Sequence, residues 1–197
     1  VAELDERRRA LEDRLDSAGT LRGLLFEQGK PLEAAVLEAL EHLGFEAKGF
    51  KDEGSEFDAV ITSAEGRLIG EVEGKDNKAI NIDKFSQLER NLNEDFSRDD
   101  VEEFAKGVLF GNAYRLRPIQ EREDAFTKKC RTGATRLGVA LVKTSDLFVP
   151  ARYLKGAKDT EYAKQCRLAI FQTSGEIVKF PPPPVASEPK AAPQARS

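Results

Sequence analysis

From residue 32 to residue 43 the apolar positions Leu32, Ala35, Val36, Ala39, Leu40 and Leu43 recur with a period of 3.6, and Gly44 follows as a stop. This spacing predicts an amphipathic helix after a break at 29–31, with Pro31 in its first turn. The pattern then shortens. FEAKGF (45–50), EFDAVIT (56–62) and RLIGEVEG (67–74) read as extended segments, the last two joined through AEG by a tight hairpin. IDKFSQLERNLNEDF returns to helical spacing, with Ile82, Phe85, Leu88 and Leu92 facing inward, and GVLFGN (107–112) is the apolar run expected of a central strand. A helix from Glu121 to about Cys130, a strand over 135–142, a helix from near Ser145 and a last helix over about 160–171, leading into GEIVKF, continue the alternation.

The two ends differ from this middle. AELDERRRALEDRLD (2–16) sets Leu4, Leu11 and Leu15 along one side of a helix, and the pattern resumes in LRGLLFEQ. The start without Met reads as a processed chain or an excised fragment. PPPPVASEPKAAPQARS has no apolar periodicity and is expected to be disordered, serving as a linker or as a motif for an aromatic-lined groove. The chain therefore divides into a helical extension (1–28), an α/β domain (29–180) and a proline-rich tail (181–197).

Composition narrows the chemistry. With 197 residues, 34% of them charged and 40% hydrophobic, the chain can bury a full core in one domain of about 150 residues. No stretch approaches the roughly 20 apolar residues of a membrane span, so no membrane role and a cytoplasmic setting are expected. Two cysteines, Cys130 and Cys166, and one histidine, His42, exclude a Cys/His zinc site, argue against a disulfide framework and leave a serine nucleophile without a base. His42 falls near a helix end, where a capping or surface role is expected. The net charge of −4 argues against a broad DNA-coating surface, although a locally acidic metal site with separate basic residues is compatible with it.

Such a site is suggested by RLIGEVEGK. Glu71, Glu73 and Lys75 occupy every second position, so a strand would present them on one face and Leu68, Gly70, Val72 and Gly74 on the other. A solvated edge strand would show the same alternation. Two partly buried carboxylates repel unless a cation lies between them. Mg²⁺ is the natural match, with Mn²⁺ as a substitute, because its shell is built from carboxylates, waters and substrate phosphate. Asp58, on the neighbouring strand of the hairpin, would complete the metal set of Asp58, Glu71 and Glu73. Lys75 would hold a water or meet charge developing on phosphate.

With these residues in place, the order helix, three-strand meander, helix, strand, helix, strand resembles the restriction-endonuclease-like fold of the PD-(D/E)xK nuclease superfamily, nearest its Mrr-like and resolvase-like branches. The resemblance covers about residues 31–143 and implies a mixed central sheet flanked by helices. It places the helix carboxylate at Glu33, the metal-binding Asp at Asp58, the Glu-x-Lys at Glu73 and Lys75, and a Gln on the following helix at Gln87. Aligned instead on the Glu-Val-Lys-Gly of many relatives, GEVEG makes Glu71 the metal carboxylate and puts Glu73 in the place of the lysine, with Lys75 reaching back. Phe57 stands where the family has proline.

The resemblance implies a Mg²⁺-dependent endodeoxyribonuclease with DNA as partner. The alternative is a catalytically impaired nuclease-like module that binds DNA or protein within a larger protein. The N-terminal helix or C-terminal linker would meet any further domain, and a homodimer is compatible with the reading. Lys78 and Lys84 are candidate phosphate contacts, and Arg115, Arg117 and Arg122 form the main basic cluster, as a DNA contact or as solubilising surface charge.

Overall fold

The computed structural model describes residues 4, 6, 7, 19–49 and 59–184. Among the described residues five strands form one mixed sheet in the order of the chain: β1 (Glu46–Gly49), β2 (Ala59–Ser63), β3 (Gly66–Gly74), β4 (Lys106–Asn112) and β5 (Ala140–Lys143). β1, β2 and β3 are an antiparallel meander, whereas β3 pairs parallel with β4 and β4 with β5. The hairpin pairs Ser63 with Gly66, so Ala64 and Glu65 make the turn.

Side chains alternate across the sheet and divide the core into two layers. Leu68, Val72, Val108, Phe110 and Val142 point to one face. There they meet α1 (19–26), α2 (Gly29–His42), α5 (Thr144–Gly156) and α6 (Thr160–Gln172). Ile69, Leu109 and Leu141 point to the other, under α3 (Phe85–Phe96) and α4 (Lys128–Leu137). Each fully buried Leu, Ile or Phe contributes about 1.5–3 kcal/mol of transfer free energy, so the two layers hold the sheet between helices. No helix among the described residues is long and apolar enough to cross a membrane.

α1 joins the first layer through Leu21 and Leu24, and its C-terminal end is held by side chains. Thr144 Oγ1 donates to Leu24 O (2.6 Å), Arg122 Nη2 to Leu25 O (2.6 Å), Arg115 Nη1 to Phe26 O (2.7 Å) and Asn112 Nδ2 to Glu27 O (2.8 Å). Helix ends leave about four carbonyls without helical partners, and here four successive ones are served by distant residues. Arg122 also donates to Asn112 Oδ1, Arg115 O and Arg117 O. Within the expected basic cluster, Arg115 and Arg122 cap a helix, and Arg117 pairs with Glu123 and lies over the Tyr114 ring.

Other expectations shift as well. The helix expected over 121–130 lies later: 119–121 is a single 3₁₀ turn, and α4 starts after Thr127, whose side chain accepts from Cys130 N. Phe126 is not helical because it bridges in parallel to Ile80, with both side chains buried in the second layer. α4 ends where Gly138 takes φ 66°, a left-handed value that costs glycine little, and β5 begins at Ala140 rather than near 135. Ile82 is 41% exposed rather than inward. GEIVKF runs beside β5, with Leu141 N donating to Glu176 O (3.0 Å) and Val178 N to Leu141 O (2.8 Å), which covers that sheet edge. Leu4, Glu6 and Arg7 are helical and exposed. The rest of the helix expected over 2–16, strand positions 50 and 56–58, and residues 185–197 lie outside the described residues.

Candidate metal centre

Glu71 and Glu73 follow Ile69 at alternate positions of β3 and so share the face beneath α3. They sit at the carboxyl end of the parallel pair, opposite Leu109 and Gly111 of β4. Crevices outside the carboxyl ends of parallel strands are where open α/β sheets bind ligands. Glu71 is 1% exposed and accepts a hydrogen bond from Asn91 Nδ2 at its Oε1 (3.0 Å). Glu73 lies nearer the end of the strand and ion-pairs with Lys75 through Oε1.

Lys84, from the 3₁₀ turn Ile82–Lys84, brings its Nζ to 3.9 Å from Glu71 Oε2 and 3.8 Å from Glu73 Oε2. In the sequence it was grouped with Lys78 as a phosphate contact; here its ammonium lies against both carboxylates. Lys78 is exposed. It lines an open cleft of about 370 Å³ with Gln28, Gly74, Lys75, Asp76 and Asn77 at the end of β3.

The remaining candidates lie as follows. Gln87 is half-buried on α3, one helical turn beyond Lys84 and on the flank of the α3 face that carries Leu88 and Asn91. Glu33 is on α2, whose buried residues pack on the opposite face of the sheet, and it lies 4.0 Å from Lys30. Asp58 lies outside the described residues. Its neighbour Ala59 pairs with Gly70, the residue before Glu71. Asn91 is the residue that the sequence reading missed. It interrupts the inward face of α3 between Leu88 and Leu92, and a buried polar residue in that register was its available signal.

The donor chemistry suits a hard divalent cation, because Glu71 and Glu73 offer carboxylate oxygens on one face. Among the described residues no group of three or more His, Cys, Asp or Glu is gathered to hold a metal. Thiolate chemistry is disfavoured, since burial pushes both the Cys130 and Cys166 thiols up to about 11.

No protein-family model matches the chain. No curated protein matches its sequence. Among solved structures it is similar to the restriction endonuclease FokI, with a TM-score of 0.56 and 14% sequence identity, over 81% of this chain and 30% of that one. The meander, the parallel β3–β4–β5 unit and the helices on both faces therefore make up a restriction-endonuclease-like fold.

Proposed function

We propose that this chain is a metal-dependent nuclease domain that hydrolyses DNA phosphodiesters, with Mg²⁺ as the physiological ion. The observation that carries the reading is the pair Glu71 and Glu73 on one face at the carboxyl end of β3, with two lysines against it, in a restriction-endonuclease-like fold. Glu71, Glu73 and Asp58 are the proposed metal ligands, Asp58 because it precedes the residue paired with Gly70. A bound divalent cation would supply charge that polarises a phosphate oxygen and acidifies a water.

The chain's own groups do the rest. Asn91 orients the Glu71 carboxylate, and Lys75 offsets charge that develops on the phosphate oxygens. Gln87 is the proposed water-orienting group, and Glu33, on the helix packed against the other face of the sheet, is a proposed supporting carboxylate. DNA is the proposed partner, in a cytoplasmic setting, with the Mrr-like or resolvase-like branch as the nearest motif layout. A second reading, a nuclease-like module without activity, is favoured by one observation: the Glu71 and Glu73 charges already have Lys75 and Lys84 beside them.

The test is incubation with supercoiled, linear, nicked and single-stranded DNA in Mg²⁺ or Mn²⁺, in parallel with Asp58→Ala and Glu71→Ala. Cleavage lost in both variants supports the enzyme. Equal residual cleavage in wild type and variants assigns it to contamination and ends the proposal.

A further inference from the structure

The lysine within ion-pair distance of both carboxylates is not the one in the strand motif. Lys75 follows β3 and meets Glu73 alone among the two, at Oε1. Lys84 comes from eleven residues beyond Glu73 and approaches the Oε2 atoms of both Glu71 and Glu73. Its backbone is well determined by its surroundings. Asn81 Oδ1 accepts from Asp83 N (3.1 Å) to start the 3₁₀ turn, and the next residue, Phe85, is buried in the second core layer.

The distances of 3.9 and 3.8 Å are ion-pair distances but exceed a hydrogen bond, so the ammonium spans the two oxygens without being tied to either at hydrogen-bonding length. Its side chain is 19% exposed, against 1% for Glu71 and 17% for Glu73. At that degree of burial the charges are only weakly screened from one another. A divalent ion bound by the same oxygens would lie about 2.0–2.6 Å from them. The ammonium and the ion therefore contend for one locus.

We propose that Lys84 is an internal counter-ion that competes with the divalent cation for Glu71 and Glu73, and that it, rather than Lys75, sets the metal affinity of the site. This rests on the metal-binding part of the reading above, not on DNA cleavage. When a cation enters, Lys84 swings out from between the Oε2 atoms while Lys75 keeps its place at Glu73 Oε1.

The experiment is calorimetric titration of the full chain with Mn²⁺ in metal-free buffer, without DNA. Lys84→Met and Lys84→Gln, two neutral side chains of similar length, are expected to bind Mn²⁺ about tenfold more tightly than wild type. Lys75→Met is expected to stay within about threefold. Thermal melts in chelator should show both Lys84 variants folded but less stable, with a larger rise in Tm on adding Mn²⁺ than wild type shows. Unchanged or weaker Mn²⁺ binding in the Lys84 variants, or a larger gain from Lys75→Met, overturns the inference. Mn²⁺ binding that follows this pattern without any DNA cleavage would sustain the counter-ion role while sinking the nuclease reading. Absence of Mn²⁺ binding in wild type and Lys84 variants alike would remove both.

Discussion

Asn91 Nδ2 donates a 3.0 Å hydrogen bond to Glu71 Oε1, and the two residues are only 7% and 1% exposed. Taking away the donor leaves a buried carboxylate oxygen without that bond, a loss of about 1–3 kcal/mol. Asn91→Ala should therefore lower stability by about that much in urea denaturation with chelator present. Asn91→Asp should cost more, because it sets a second carboxylate against Glu71, and Mn²⁺ should recover part of that loss. An unchanged urea midpoint in both variants would show that the bond contributes nothing.

Arg167 grips the hairpin turn. Its Nε donates to Glu65 Oε2 (2.6 Å), its Nη2 to Oε1 (2.9 Å) and its Nη1 to Leu43 O (2.7 Å). The Arg167 hydrogen bonds hold the Glu65 carboxyl down at about 2, from an ordinary 4.5. Because the folded value is depressed, this stabilisation is fully present above about pH 4.5 and fades as pH falls toward 2. Allowing for solvent screening, about 1–2 kcal/mol is at stake. Urea midpoints measured from pH 6 to pH 2 should fall less steeply for Glu65→Gln than for wild type, and superimposable slopes would refute the assignment.

Arg122 serves carbonyls of Leu25, Arg115 and Arg117 together with Asn112 Oδ1. Arg122→Ala is expected to cost about 2–4 kcal/mol, since several acceptors lose a charged donor at once. Lysine should not restore it, because one ammonium cannot span the acceptors reached by a planar fork. Hydrogen exchange is the sharper measurement: protection over residues 21–26 should fall in both variants while that of β4 persists. Equal protection in wild type and variants would show that α1 does not depend on this cap.

Much of the architecture was legible because it is local. The 3.6 period of Leu32 to Leu43 marked α2, the tight AEG connection marked the β2–β3 hairpin, and GVLFGN marked the central strand. α4 was misplaced because Thr127 as cap and Gly138 as stop are weak cues beside the apolar pair Ala125 and Phe126. Those two residues are buried through a loop that bridges to Ile80, which no helical spacing encodes.

By itself the sequence determined that Glu71 and Glu73 share a face, since side chains along a strand alternate whatever surrounds them. It also carried the order of elements on which the resemblance to the endonuclease-like fold rests. Only the tertiary structure decided which groups meet those carboxylates: Asn91 and Lys84 arrive from α3 and the turn before it, once the hydrophobic layer of Ile69, Phe85 and Leu88 docks that helix on the sheet. The same holds for Arg115 and Arg122, which read as a DNA contact or as surface charge and are donors to α1 in the fold. The physical reason is common to both cases. Periodicity is a property of the local backbone, whereas the partner of a buried charge is chosen by long-range packing that brings distant side chains within a few ångströms.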